Sequence, residues 1–171
     1  PPSRLTQPPR VEVPDGYQLR CADHSDQPAL VSLMADCGWE FGAQRIEYCD
    51  SRLLPRGWFV VTQTATSAMV GSAMSLHNYS GRSTGSGTLG WVGCHPKHRG
   101  KKIGSVVSAA VTSRLLEAGY TDIELYTEHY REPAIVSYFR LGYLPYLYND
   151  AVTELWRDVC GRINQPFTPE H

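Results

Sequence analysis

The sequence predicts a single mixed α/β domain, on three observations. Its 171 residues, 42% hydrophobic, supply the length and apolar mass for one core. Apolar residues alternate at a period of two in some segments and at helical spacing in others. These segments run β, α, α, three strands, α, β, α, β, with no internal repeat and no composition break that would open a second domain.

Each element has its own signal. Residues 1–16 carry five prolines and little apolar mass, which predicts a flexible leader, with the domain spanning 17–171. "YQLRCA" alternates as a short strand. "SDQPALVSLMADCG" has helix-start residues at Ser25 and Asp26, apolar positions at Leu30, Leu33 and Met34, and a stop at Gly38. A second short helix is expected from near Gly42. "GWFVVTQTA" and "SAMVGSAMSLHNYS" form a strand pair around a turn at Thr66-Ser67. "GRSTGSG" is a flexible loop, and "TLGWVGC" a strand ended at His95 by Pro96. Ile103, Val106, Val107, Ala110, Val111, Leu115 and Ala118 then share one helical face, closed by Gly119. "TDIELYT" returns to strand alternation, and "PAIVSYFRL" is a helix with Pro133 in its first turn. "YLPYLY" is expected as a last strand, at an edge because of Pro145, and a terminal helix should start at Asp150.

Composition narrows the function. Net charge is −1 and the basic residues are scattered apart from the run Lys97 to Lys102, which argues against a nucleic-acid surface. The five cysteines are isolated and odd in number, so neither a disulfide framework nor a metal site is expected, and a cytoplasmic setting fits. No apolar run reaches ~18 residues, so no membrane span is expected, nor is an export signal.

The stretch "HPKHRGKKIGSVV" carries the chemistry. A strand enters a helix through a glycine-bearing turn, which points unsatisfied backbone N–H groups at one spot. The helix start adds about half a positive charge. Gly100 lets a bulky group come close, Gly104 removes a side chain from the first turn, and Arg99, Lys101 and Lys102 add charge. A phosphate or pyrophosphate is the natural ligand. A P-loop is ruled out by His95, and GxGxxG is absent.

Arg99-Gly100-Lys101-Lys102-Ile103-Gly104 resembles [Q/R]xxGxG/A, motif A of the GNAT acyl-CoA N-acetyltransferases, with Lys102 where a glycine is usual. "REPAIVSYFRLGY" resembles the family's later block NxxAxxxYxKxGF at Ala134, Tyr138 and Gly142, with Arg140 for Lys and Tyr143 for Phe. The likeness covers residues 88–147; residues 17–87 fit only in element order.

The resemblance implies a mixed, mostly antiparallel sheet of about six to seven strands with helices on both faces. One splayed strand pair would form the acetyl-CoA cleft. It implies acetyl transfer to a primary amine by direct attack, with acetyl-CoA as cosubstrate and no metal. Val92, Gly93 and Cys94 would pair with the pantetheine arm, and Gly93 suits its close approach. The amides of Gly100, Lys101, Lys102, Ile103, Gly104 and Ser105 would hold the pyrophosphate beside Arg99. Ala134 and Arg131 would also line the cofactor, unless Arg131 pairs with Glu128 or Glu132 at the surface. Tyr138 would be the proton donor to the departing thiolate, since a phenol stays protonated at neutral pH, unless it is a core tyrosine packed on Val106 or Ile135.

At position 102 a lysine would be costly in a left-handed conformation, so a helical one is expected. Glu128 is the first candidate base, followed by His129, with His77 and Glu40 near the acceptor. Trp39, Phe41, Tyr48, Tyr146 and Tyr148 would suit a small cationic amine unless they belong to the core. A peptide or protein amine, a longer acyl donor, a non-catalytic acyl-CoA-binding domain, a simple nucleotide-binding module and a homodimer all stay open.

Overall fold

The computed structural model describes residues 7–81 and 85–167. Of the predicted leader, residues 1–6 lie outside these, as do three residues of the "GRSTGSG" loop. Within 7–16, Val11 packs against the core and the Pro9 carbonyl accepts a hydrogen bond from Ser113 Oγ at 3.3 Å.

The elements are β1 (Tyr17–Cys21), α1 (Gln27–Asp36), α2 (Ala43–Asp50), β2 (Leu53–Gln63), β3 (Met69–His77) and β4 (Gly87–Cys94). They continue with α3 (Ile103–Glu117), β5 (Ile123–Glu124), α4 (Glu132–Arg140) and α5 (Asp150–Arg162). Asp23 caps the turn before α1 through its carboxylate, and Asn149 accepts the Val152 N–H at 2.9 Å to start α5. The β2–β3 turn has Ser67 at φ 58°.

The strands form one sheet in the order β1-β2-β3-β4-β5, antiparallel except for the last pair. Five strands among the described residues replace the expected six to seven. "YLPYLY" forms none: Pro145 offers no N–H, and Tyr146 and Tyr148 point to solvent. "TDIELYT" forms a strand only at Ile123–Glu124.

The sheet has helices on both faces. Val60 and Val61 are adjacent in β2 and go to opposite clusters, as a two-residue period requires. Val61 meets Val70, Leu89 and the α3 stripe of Ile103, Val106, Val107, Val111 and Leu115. Val60 meets Leu30, Met34, Phe41, Cys49 and Trp58 under α1 and α2. Ala118, expected on the α3 stripe, is instead its exposed C-terminal cap. The start of α3 rests on β3 at Gly71, where a Cβ would lie 2.4 Å from Ile103 Cγ2. Glycine there lets the helix come down onto the sheet.

Candidate active site

β4 and β5 pair only at Gly87–Ile123 and Thr88–Glu124. Beyond that point the strands part, and β4 from Leu89 to Cys94 has no paired strand on that side among the described residues. A bulge helps to open the gap: Ser72 pairs with Gly93 and Met74 with Gly90, so Trp91 and Val92 together face Ala73. Trp91 takes φ 52°, a strained value for so large a residue. Nothing in the local residue pattern marks this feature.

The gap holds a cavity of about 390 Å³ lined by β4 from Thr88 to Val92, by Tyr126, Thr127 and Glu128 after β5, by Arg131 and Tyr138, and by Trp39 and Tyr79. The parted strands thus bring Val92, Glu128, Arg131 and Tyr138 together. Tyr138 is nine-tenths buried, and its hydroxyl has no hydrogen-bond partner among the described residues. Burial pushes its phenol up to about 12, while the positive charge of Arg131 pulls the other way.

At the far end of the gap lies the glycine-bearing turn. Gly100 has φ 79°, and Arg99, Lys101 and Lys102 are exposed around it. Lys102 is the N-cap of α3 at φ 62°, ψ 11°, and donates no side-chain cap. The helical conformation expected there is therefore corrected. The turn needs a left-handed residue to swing from the short helix at Pro96–His98 into α3, so lysine occupies a glycine's conformation. Ile103 is buried, so only its amide faces the turn. Around Gly104 nothing lies within 4 Å of a would-be Cβ. No side chain caps this first turn, and the Gly104 N–H lies against the Cys94 thiol. Ser105 Oγ donates to Ser137 Oγ at 3.1 Å and ties the turn to α4. A second depression of about 460 Å³, lined by Glu12 to Asp15, Tyr17 and Gly100 to Lys102, flanks the loop.

Gly93 has a different reason from the one expected. A Cβ there would meet Met34 Cε at 2.9 Å, so the glycine makes room for α1. The Cys94 carbonyl accepts from the Cys37 thiol at 3.4 Å. Burial raises both thiols, which are unpaired like the other three cysteines. Ala134 packs against the main core one turn before Tyr138.

Arg131 does not form the surface pair that was one option. Glu132 binds Arg162 at 2.7 Å, and the Arg131 guanidinium lies 4.2 Å over Trp39. Glu40 is exposed and does not line the cavity. His77 also stays outside the cavity lining; its Nδ1 lies 2.8 Å from the Tyr120 hydroxyl. Phe41 is core, packed 4.6 Å from Trp91, and the Tyr48 hydroxyl donates to the Tyr79 carbonyl. Trp39, expected to suit a cationic amine, instead carries the Arg131 guanidinium, and Trp91 carries that of Arg45.

Glu124 was also missed. Its Oε1 accepts from Ser80 at 2.8 Å, Thr88 at 3.3 Å and Ser86 at 3.4 Å, and Oε2 accepts from Tyr126 at 3.1 Å. The signal was a carboxylate and a tyrosine two apart on one face of "IELYT". Among the described residues, no group of three or more His, Cys, Asp or Glu could hold a metal, and no helix is long and apolar enough to cross a membrane.

The strands thus part between an uncapped basic helix start and a buried phenol. The chain belongs to the acetyltransferase (GNAT) family, which it matches over residues 20–143. No curated protein matches it. Among solved structures, it resembles the ribosomal-protein-S18-alanine N-acetyltransferase of Escherichia coli. That match has 17% identity and a TM-score of 0.60, covering 74% of this chain and 76% of that one. It resembles the GCN5-related N-acetyltransferase of Sphaerobacter thermophilus at 23% identity and a TM-score of 0.62, covering 81% of this chain but only 44% of that longer one. It also resembles the glucosamine-6-phosphate N-acetyltransferase of Arabidopsis thaliana at 17% identity and a TM-score of 0.58, covering 78% and 95%. These likenesses establish the fold.

Proposed function

We propose that the protein transfers an acetyl group from acetyl-CoA to a primary amine by direct attack within a ternary complex. One observation carries the reading: the open edge of β4 runs from the Tyr138 cavity toward the uncapped start of α3. A long ligand can lie along it with an anionic end at the turn and its reactive end beside a proton donor.

The residues present fit coenzyme A. The amides of Gly100 to Ser105, with Arg99, Lys101 and Lys102 around them, would hold its diphosphate. Val92, Gly93 and Cys94 would offer backbone to the arm, with Ala134 beside it. The bound thioester supplies an electrophilic acyl carbon and a thiol leaving group. Tyr138 gives its proton to the sulfur; with the phenol pushed up to about 12 it is fully protonated at neutral pH. Glu128, the one carboxylate among the cavity-lining residues, takes the proton from the amine. Glu124 holds Thr88 and Tyr126 in place behind it. The acceptor enters between Trp39, Tyr79 and Tyr126. Two of the structural neighbours are named for a protein amine and a small-molecule amine, which supports an amine acceptor of either size.

Thiol release from acetyl-CoA against a panel of amines and peptides tests the reading. We expect release with at least one primary amine. Tyr138→Phe should lower kcat by roughly 10- to 10⁴-fold with little change in coenzyme A affinity. Glu128→Gln should lower kcat/KM by roughly 10²- to 10⁴-fold; a loss of that size in Glu124→Gln with Glu128→Gln unaffected would reassign the base. Binding without release would mark an acyl-CoA-binding domain, and release only from longer thioesters a different acyl donor. Failure to bind coenzyme A ends the proposal.

A further inference from the structure

Among the described residues lining the cavity, Arg131 is the one cation. No carboxylate among the described residues pairs with it: Glu132, its neighbour in the chain, is taken by Arg162 at 2.7 Å. Its Nε is buried with no hydrogen-bond partner. Two aromatic rings hold the head, Trp39 at 4.2 Å and Tyr130 at 5.6 Å. Arg131 is the N-cap of α4, seven residues before Tyr138, and both line the cavity. A tyrosine on a helix leans back toward the N-terminus, which brings the phenol toward the guanidinium. The result is an uncompensated positive charge on the wall of a half-enclosed cavity, where interactions are stronger than in water.

We propose that Arg131 is a catalytic residue whose guanidinium, clamped on Trp39, stabilises the negative charge that develops on the sulfur leaving the acyl group. The inference rests on the acetyl-transfer reading above. As the amine nitrogen forms its bond to the acyl carbon, the carbon–sulfur bond breaks and its electron pair stays with sulfur. Tyr138 delivers the proton to that sulfur, and Glu128 removes one from the nitrogen. Arg131 loses and gains nothing; it lowers the energy of the sulfur anion before the proton arrives. The depressing effect of Arg131 on the Tyr138 phenol reports the same field, since the field that favours a phenolate there favours a thiolate. Trp39 is a positioning residue, which keeps the guanidinium in the cavity and away from water.

The other groups facing this point are Glu128 and Tyr138 in the cavity wall and Glu124 behind Thr88. Glu128 and Glu124 oppose the effect of Arg131, so the test compares variants rather than absolute values. The thiol of bound coenzyme A is titrated by thiolate ultraviolet absorbance, with desulfo-coenzyme A as the blank, in native protein, Arg131→Gln and Arg131→Lys. Affinity is measured in parallel by calorimetry. We expect the bound thiol to titrate about one unit higher in Arg131→Gln than in native protein, with Arg131→Lys between the two. Turnover should fall about tenfold in Arg131→Gln and recover partly with lysine. An equal thiol titration in native and Arg131→Gln overturns the proposal. Weaker binding of coenzyme A at an unchanged thiol titration does so too, and makes Arg131 a binding residue. If native protein does not bind coenzyme A, the reading beneath it fails as well.

Discussion

Replacing Lys102 by glycine separates folding strain from ligand recognition at the anion-binding turn. Lys102 sits at φ 62°, ψ 11° before the cofactor arrives. A left-handed non-glycine residue costs about 1–2 kcal/mol. Glycine removes that strain but adds freedom to the unfolded chain, worth roughly 0.4–1 kcal/mol in the opposite direction. The net is a gain of about 0.5–1 kcal/mol, or a Tm higher by roughly 2 °C for a domain of this size. The strain is present with and without ligand, so its relief cancels from the binding equilibrium. Affinity changes only through the lost ammonium, about 0.3–1 kcal/mol for an exposed charge, which predicts coenzyme A binding about two- to fivefold weaker. Thermal unfolding and isothermal titration calorimetry measure the two effects. Lys102→Ala should lose the same affinity without gaining stability. A glycine variant that melts lower than native, or binds coenzyme A several-fold tighter, would refute the reasoning, because the turn would then differ between free and bound protein.

Two further outcomes follow from packing and from the buried phenols. Gly71→Ala should destabilise the fold by about 1–3 kcal/mol, because its Cβ would lie 2.4 Å from Ile103 Cγ2 and push α3 off the sheet. Gly104→Ala, with open space around it, should be stabilising by about 0.5–1 kcal/mol; urea unfolding compares them. Alkaline stability should also fall in a defined window. Burial raises both Tyr138, to about 12, and Tyr143, whose hydroxyl lies 2.9 Å from Thr112 Oγ1. Below pH about 10 both are protonated whether folded or not, so stability is complete there. Above it the unfolded chain ionises while the folded phenols stay neutral, so stability drops as pH rises toward 12 and beyond. Tyr138→Phe and Tyr143→Phe should each shallow that fall in pH-dependent urea titrations; an unchanged slope in both would contradict the burial argument.

Much of this fold is legible in the chain because its signals are local. Pro133 in the first turn of α4, Gly119 ending α3 and Pro96 closing β4 each act through their own φ angle or missing N–H. The paired glycine-turn and tyrosine blocks were legible for the same reason, the second carrying the cavity tyrosine Tyr138. Three features were not. The left-handed Lys102 depends on the direction in which α3 must leave the turn, and a preference for helix cannot reveal a required swing. The Trp91 bulge arises from how β3 and β4 align, and the loss of "YLPYLY" as a strand from the absence of a neighbour to pair with.

The sequence by itself therefore determined the element order as far as α4 and the apolar stripe of α3, because each depends on residues close in the chain. The tertiary structure alone decided how far β4 and β5 part and that Glu124 gathers four hydroxyls. It also decided that Gly93 serves α1, and that Arg131 lies on Trp39 rather than on Glu132. Those outcomes join groups tens of residues apart. Their energies depend on distance and desolvation across the assembled cleft, which no local pattern encodes.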